Sequence, residues 1–172
     1  GSGTGKSVTI KNIIGLIEPD SGDILLDGQS ILGARGAKRD ALLERFGMLF
    51  QGSALFDSLT VWQNVAFRLL RGSLKRPTEE AREIAIEKLR RVSLKPDVAD
   101  RLPAELSGGM QKRVGIARSI VLNPKYLFCD EPNSGLDPKT AILIDELINS
   151  ITKENQITTV INTHDMNSVM GI

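Results

Sequence analysis

The chain has 172 residues, 41% of them hydrophobic and 25% charged, which is enough apolar material for a buried core and excludes a disordered or fibrous segment. Lys and Arg number 22 against 21 Asp and Glu, a net charge of +1, so no strong field is available to hold nucleic acid or an anionic membrane by charge alone. The single cysteine, Cys129, excludes an internal disulfide and fits a reducing compartment, a lone histidine beside it excludes the usual all-protein zinc site, and no apolar run reaches the roughly 18–20 residues of a membrane-spanning helix.

The chain opens on Gly1-Ser2-Gly3-Thr4-Gly5-Lys6-Ser7, the end of the phosphate-binding pattern G-x-x-x-x-G-K-[ST], whose first glycine would fall one position before residue 1. The strand that normally leads into such a loop is also missing, so the expectation is a piece of a larger domain, cut at the start and near the end. A helix is expected from Lys6 to about Leu16. Gly22 to Gly28 reads as a short strand ending in a turn and pairing antiparallel. Lys38 to Arg45 has a helical composition, and Phe46 to Phe50 is an apolar run too short for a helix: a buried strand that empties into a loop at Gln51-Gly52. Thr60 with Gln63 is a capping-box pair, predicting a helix to about Leu70 that ends at Gly72.

The next helix starts near Pro77, with Glu79 and Glu80 early and Lys88, Arg90 and Arg91 late, the charge order that the helix dipole favours. Two prolines break the pattern between Ser93 and Pro103, and a further helix follows Leu106-Ser107-Gly108-Gly109, with Met110, Val114, Ala117 and Val121 on one face. Tyr126 to Cys129 is a short buried strand, Pro138 to Lys153 a helix with Ile144, Leu147, Ile148 and Ile151 on one face, and Ile157 to Asn162 another strand. The two ends are therefore α/β and the middle, about 52–122, is mainly helical. No internal repeat is visible, which argues against a solenoid.

Three segments carry chemistry. Gly3 and Gly5, with Thr4 between them, let the backbone curl so that successive amides face phosphate oxygens, while Lys6 reaches the β- and γ-phosphates and the Ser7 hydroxyl is placed for Mg²⁺. The strand Tyr126-Leu127-Phe128-Cys129 ends in Asp130-Glu131, two carboxylates at the edge of a sheet where α/β folds bind ligands. There Asp130 would hold Mg²⁺, and Glu131 would polarise the water that attacks the γ-phosphate. Ser107, Gly108 and Gly109 open a helix and offer a second anion site. Taken singly, each has a plain structural alternative: a glycine-rich turn, a solvated strand end, an ordinary helix cap. Cys129 is read as a core residue without chemistry, and Trp62 as helix packing.

Together and in this order, these segments resemble the ATP-binding cassette (ABC) ATPases, whose signature is an LSGGQ-type sequence; Met110 stands in place of its glutamine. The likeness runs over almost the whole chain. It implies an α/β P-loop NTPase fold of ABC type, with a RecA-like core over residues 1–51 and 123–172 and a helical signature subdomain over 52–122. It further implies ATP and Mg²⁺ as cofactors and assigns Gln51 to the Q-loop, touching Mg²⁺ and water. Ser134-Gly135-Leu136-Asp137 matches the D-loop, with Asp137 at a dimer interface, and His164 matches the switch histidine that donates to the γ-phosphate and orients Glu131.

In such ATPases two nucleotide-binding domains pack head to tail, so ATP held by Lys6 and Ser7 of one copy would be covered by Ser107 and Gly109 of a second. Complete sets of both motifs in one chain favour two identical copies. The partner implied is an integral-membrane permease near the Q-loop, with the ATPase peripheral on the cytoplasmic face of a bacterial inner membrane. Gly52 to Asp57, Leu106-Ser107-Gly108-Gly109-Met110 with Lys112-Arg113-Val114, and Asp130 to Gly135 with Asn133 for a more usual Thr or Ser are similar to the Mla-type ATPases. This implies phospholipid as cargo and an MCE-domain lipid-binding partner. Two alternatives stand: an ABC ATPase for another solute, and one acting on ribosomes or DNA. Nucleic acid is not expected, because no basic tail or long coiled-coil insertion is present.

Overall fold

The short apolar runs become a parallel sheet whose central strand is buried on both faces. In the computed structural model, which describes residues 5–163, strands β3 (Phe46–Leu49), β4 (Tyr126–Asp130) and β5 (Thr158–Asn162) lie in the order β3-β4-β5, all parallel. Leu49 pairs with Cys129, Cys129 with Ile161, and Asp130 with Asn162, so all three strands end at one edge. Because side chains alternate along a strand, the central β4 feeds two cores. Leu127 and Cys129 join Val114, Ala117, Ile144 and Ile148 in the larger one, while Phe128 packs with Phe46, Ile10 and Ile14 in the smaller. Burial pushes the Cys129 thiol up to about 12, which suits a core residue.

The covering helices begin as capping rules require. Helix α5 (Gly108–Ser119) starts at Ser107, whose hydroxyl accepts from the Met110 amide at 3.3 Å, and α6 (Pro138–Glu154) starts at Asp137, whose carboxylate accepts from the Thr140 amide at 3.1 Å. Helix α4 (Thr78–Arg91) keeps the expected charge order, with Pro77 as its cap. Trp62 is buried within the helical packing, as expected. Among the described residues no helix is long and apolar enough to cross a membrane.

Several elements are shorter than the sequence suggests. Helix α1 (Lys6–Ile13) stops before Leu16 because Gly15 turns left-handed, at φ 73°, and its carbonyl accepts from the Arg39 guanidinium at 2.7 Å. The strand read over 22–28 is reduced to β1 (Leu25–Leu26), antiparallel to β2 (Gln29–Ser30). Asp27 and Gly28, both at positive φ, form the two-residue turn between them. Asp27 accepts from the Tyr126 hydroxyl, Lys125 and Arg45, bonds that hold its carboxyl below the usual range and tie the hairpin to the sheet. Helix α2 (Gly36–Glu44) leads into β3. The helix read as 60–70 splits into α3 (Val61–Val65) and a 3-10 turn, Phe67–Leu70, whose tighter winding stacks Phe67 on Phe56 with ring centroids 4.5 Å apart.

Candidate functional site

Residues far apart in sequence meet at the carboxyl edge of the sheet. Gly5 caps α1 in the left-handed conformation, φ 81°, with open space around it, so the backbone angle and not crowding calls for glycine. This starts α1 with Lys6 and Ser7 in its first turn. The Ser7 hydroxyl donates to Asp130 Oδ1 at 3.0 Å, across 123 positions of sequence. Asn162 Nδ2 donates to the same oxygen at 2.5 Å and lies 3.5 Å from Ser7 Oγ. Both Asp130 and Asn162 are buried, at 6% and 7% exposure. Ser7 and Asp130 present hard oxygens side by side, and Asn162 Oδ1 is buried with no hydrogen-bond partner. That donor set fits a small divalent cation such as Mg²⁺.

Glu131 sits one residue beyond β4 in the left-handed region, φ 49°, uncommon for a side chain of its size. Its amide donates to the Asn162 carbonyl at 2.8 Å, so β5 holds the turn that displays the carboxylate. Gln51 stands two residues beyond Leu49 as Glu131 stands two beyond Cys129, at the same edge, and is exposed. Gly3, Thr4 and His164 lie outside the described residues.

Ser107, Gly109 and Asp137 form a second group. They line a cavity of about 650 Å³ together with Lys95, Arg101 and Arg113, and none of the first group's side chains lines it. A Cβ at Gly109 would stand 2.9 Å from Thr140 Cγ2, so a side chain there would press on α6. Asp137 is held below the usual carboxylate range by the Thr140 hydroxyl and amide.

The start of α5 therefore opens on a cavity that the Ser7–Asp130 pair of the same chain does not line. The model of the family described as "ABC transporter" matches residues 1–134. The chain belongs to the ABC transporter family. It is 44% identical over 166 residues to the probable ribonucleotide transport ATP-binding protein mkl of Mycobacterium leprae, covering 96% of this chain and 47% of that protein. It is also 44% identical over 171 residues to the methionine import ATP-binding protein MetN of Carboxydothermus hydrogenoformans, covering 99% of this chain and 50% of that one. The chain thus spans about half the length of these curated relatives. The dimeric ATP-binding cassette MJ0796, solved bound to ADP and Pi, superposes with a TM-score of 0.83 at 33% identity, covering 98% of this chain and 73% of that one. The cbiO1 protein of Clostridium perfringens, part of the cbiONQ transporter complex, gives 0.83 at 37% identity, with 98% and 66% covered. The ABC-type P-loop fold, with a RecA-like core and a helical subdomain, is thereby established.

Three residues of this ABC domain carry site structure that the motifs do not point to. Asn162 bridges Ser7 and Asp130; its position opposite Asp130 in the strand register is knowable only once β4 and β5 are paired. Lys112, in the middle of α5, is 3% exposed, and its ammonium has no hydrogen-bond partner. Burial holds it below the usual lysine range, with Cys129 and Glu131 opposing the shift. Arg118 donates to the Ser53 and Ala54 carbonyls, just past Gln51. A basic residue on a helix otherwise reads as a solvated face, so the sequence offers no signal for either cation.

Proposed function

We propose that this chain is the ATP-binding and ATP-hydrolysing portion of an ABC transporter subunit. The observation that carries the proposal is the Ser7–Asp130 hydrogen bond at the sheet edge, with Glu131 displayed beside it. Lys6 and the amides of the glycine loop hold the phosphates, and Ser7, Asp130 and Gln51 are the oxygen donors for Mg²⁺, which when bound offsets phosphate charge. Glu131 orients a water and accepts its proton as the water oxygen bonds to the γ-phosphorus and the bond to the ADP oxygen breaks. His164 is assigned the γ-phosphate contact by family likeness. Ser107 and Gly109 are assigned to act in trans, covering the ATP bound to a second copy; that the cavity they share with Asp137 is not lined by the Ser7–Asp130 pair supports this. The dimeric state of MJ0796 supports this arrangement.

An integral-membrane permease is the proposed partner, with the ATPase peripheral to it on the cytoplasmic face. A second, apolar cavity of about 430 Å³ beside the Q-loop, lined by Met48, Phe50, Ala54, Phe56, Phe67 and Arg118, suits the docking of such a partner. The names of the relatives, ribonucleotide transport and methionine import, favour an ATPase for a solute other than lipid. Phospholipid as cargo, with an MCE-domain partner, is a second reading supported by Met110, Lys112 and Asn133, the last donating to Asp145 at 2.7 Å.

The test is Glu131→Gln in the full-length protein, purified from its own cell with ATP present. ATP binding is expected to persist while turnover falls by about a hundredfold or more, and Lys6→Ala is expected to weaken nucleotide binding instead. Unchanged turnover in Glu131→Gln would remove Glu131 from its role. A co-purifying permease with phospholipid would decide for the second reading of the cargo, and ribosomes or DNA would overturn the transporter.

A further inference from the structure

The segment just past Gln51 is held in an unusual way. Gly52, Ser53 and Ala54 are three consecutive left-handed residues, φ 72°, 65° and 47°, a conformation that costs free energy at the two that are not glycine. Their surroundings over-determine it. The Arg118 guanidinium donates to the Ala54 carbonyl at 2.8 Å from one nitrogen and to the Ser53 carbonyl at 2.5 Å from the other. The Ser53 amide donates to the Phe50 carbonyl at 3.0 Å, and Ser53 is 1% exposed. Ser53 seats against Gly115 of α5, where a Cβ would fall 3.2 Å from Ser53 Cβ and 3.0 Å from Leu49 Cδ1. Farther along the loop, the fully buried Asn64 accepts from the Phe56 amide and donates to the carbonyls of Phe56, Leu59 and Thr60.

Arg118 belongs to the same α-helix that begins at Ser107, and a helix transmits displacement along its axis as a rigid rod. We propose that Arg118 is a positioning residue for Gln51: its two-pronged bond fastens the far end of the signature helix to the left-handed turn and fixes where Gln51 stands relative to the Ser7–Asp130 pair. Movement of the signature end is thereby delivered to the magnesium side of the site. The planar fork is essential, because a lysine ammonium lacks its two parallel donors. This inference rests on the functional reading above.

The experiment uses full-length protein carrying Arg118→Lys, with Gly115→Ala as a second variant that keeps the guanidinium but displaces Ser53. Hydrogen exchange without nucleotide reads the tie itself, and exchange across 51–56 is expected to rise about tenfold in Arg118→Lys. ATP affinity in EDTA, measured by calorimetry, is expected to stay within about twofold of wild type, while half-saturating Mg²⁺ for turnover rises and kcat falls about tenfold or more. Gly115→Ala is expected to shift exchange and the Mg²⁺ requirement in the same direction, and it decides the matter if Arg118→Lys does not fold. Faster exchange with an unchanged Mg²⁺ requirement and kcat would make the bond merely structural and overturn the inference, as would wild-type behaviour throughout. A wild-type protein that neither binds nor hydrolyses ATP would sink the functional reading and this inference with it; the other two outcomes sink this inference alone.

Discussion

Replacing Asn162 by alanine removes the amide that bridges Ser7 and Asp130. The bond lost is the 2.5 Å donation to a buried carboxylate, and hydrogen bonds to charged groups contribute about 1.5–3 kcal/mol. Part of this is offset, because the same substitution deletes Asn162 Oδ1, a buried acceptor without a partner whose desolvation costs about 1 kcal/mol or more. The net loss is about 0.5–2 kcal/mol, or about 1–8 °C in Tm for a domain of this size. The backbone is not disturbed, because the Asn162 carbonyl still accepts from the Glu131 amide. Scanning calorimetry of the full-length protein without Mg²⁺ or nucleotide measures the difference, and a Tm equal to or above that of wild type would refute the assignment of Asn162 as a structural partner of Asp130. Asn162→Asp places a second carboxylate against Asp130. Two carboxylates in contact raise each other's pKa, so that variant is expected to be least stable at neutral and higher pH and to recover as the pH falls and one of the pair protonates.

Lys112→Met is expected to stabilise the protein at pH 7 by about 1–3 kcal/mol, because it removes an unpaired buried charge at similar volume. The Lys112 pKa is lowered in the fold from an ordinary value of 10.5, so the unfolded chain binds this proton more tightly, and wild-type stability gains on the variant as pH climbs through the folded pKa toward that value. Urea midpoints at pH 7 and pH 10 should therefore converge, and a constant gap would refute the reasoning. Cys129, fully buried with its thiol pushed up to about 12, should resist alkylation in the native protein and react on denaturation, as peptide mass mapping would read; native labelling would contradict its place in the core. Gly47→Ala places a Cβ on the Ser119 carbonyl oxygen and 3.0 Å from Pro124 Cγ, and is expected to cost about 1–3 kcal/mol in urea denaturation, since neither backbone can rotate away.

Features that depend on local chemistry are legible in the amino-acid order alone. Strands Phe46–Leu49 and Tyr126–Asp130 follow from short apolar runs, the starts of α5 and α6 from Ser107 and Asp137 as caps, and the motif order from the P-loop to the acids at Asp130-Glu131 names the ABC family without any coordinates. Element ends were less readable: α1 stops at Ile13 and α3 at Val65 because Gly15 turns left-handed and Phe67 finds Phe56, neither of which a hydrophobic period records. Only the tertiary structure placed Asn162 against Asp130, Arg118 on the 53–54 carbonyls and the Lys112 ammonium out of water. A motif marks residues whose backbone and near neighbours in sequence do the work. A partner 32 or 65 positions away is fixed by strand register and helix packing, which the chain acquires only when its apolar faces are buried together.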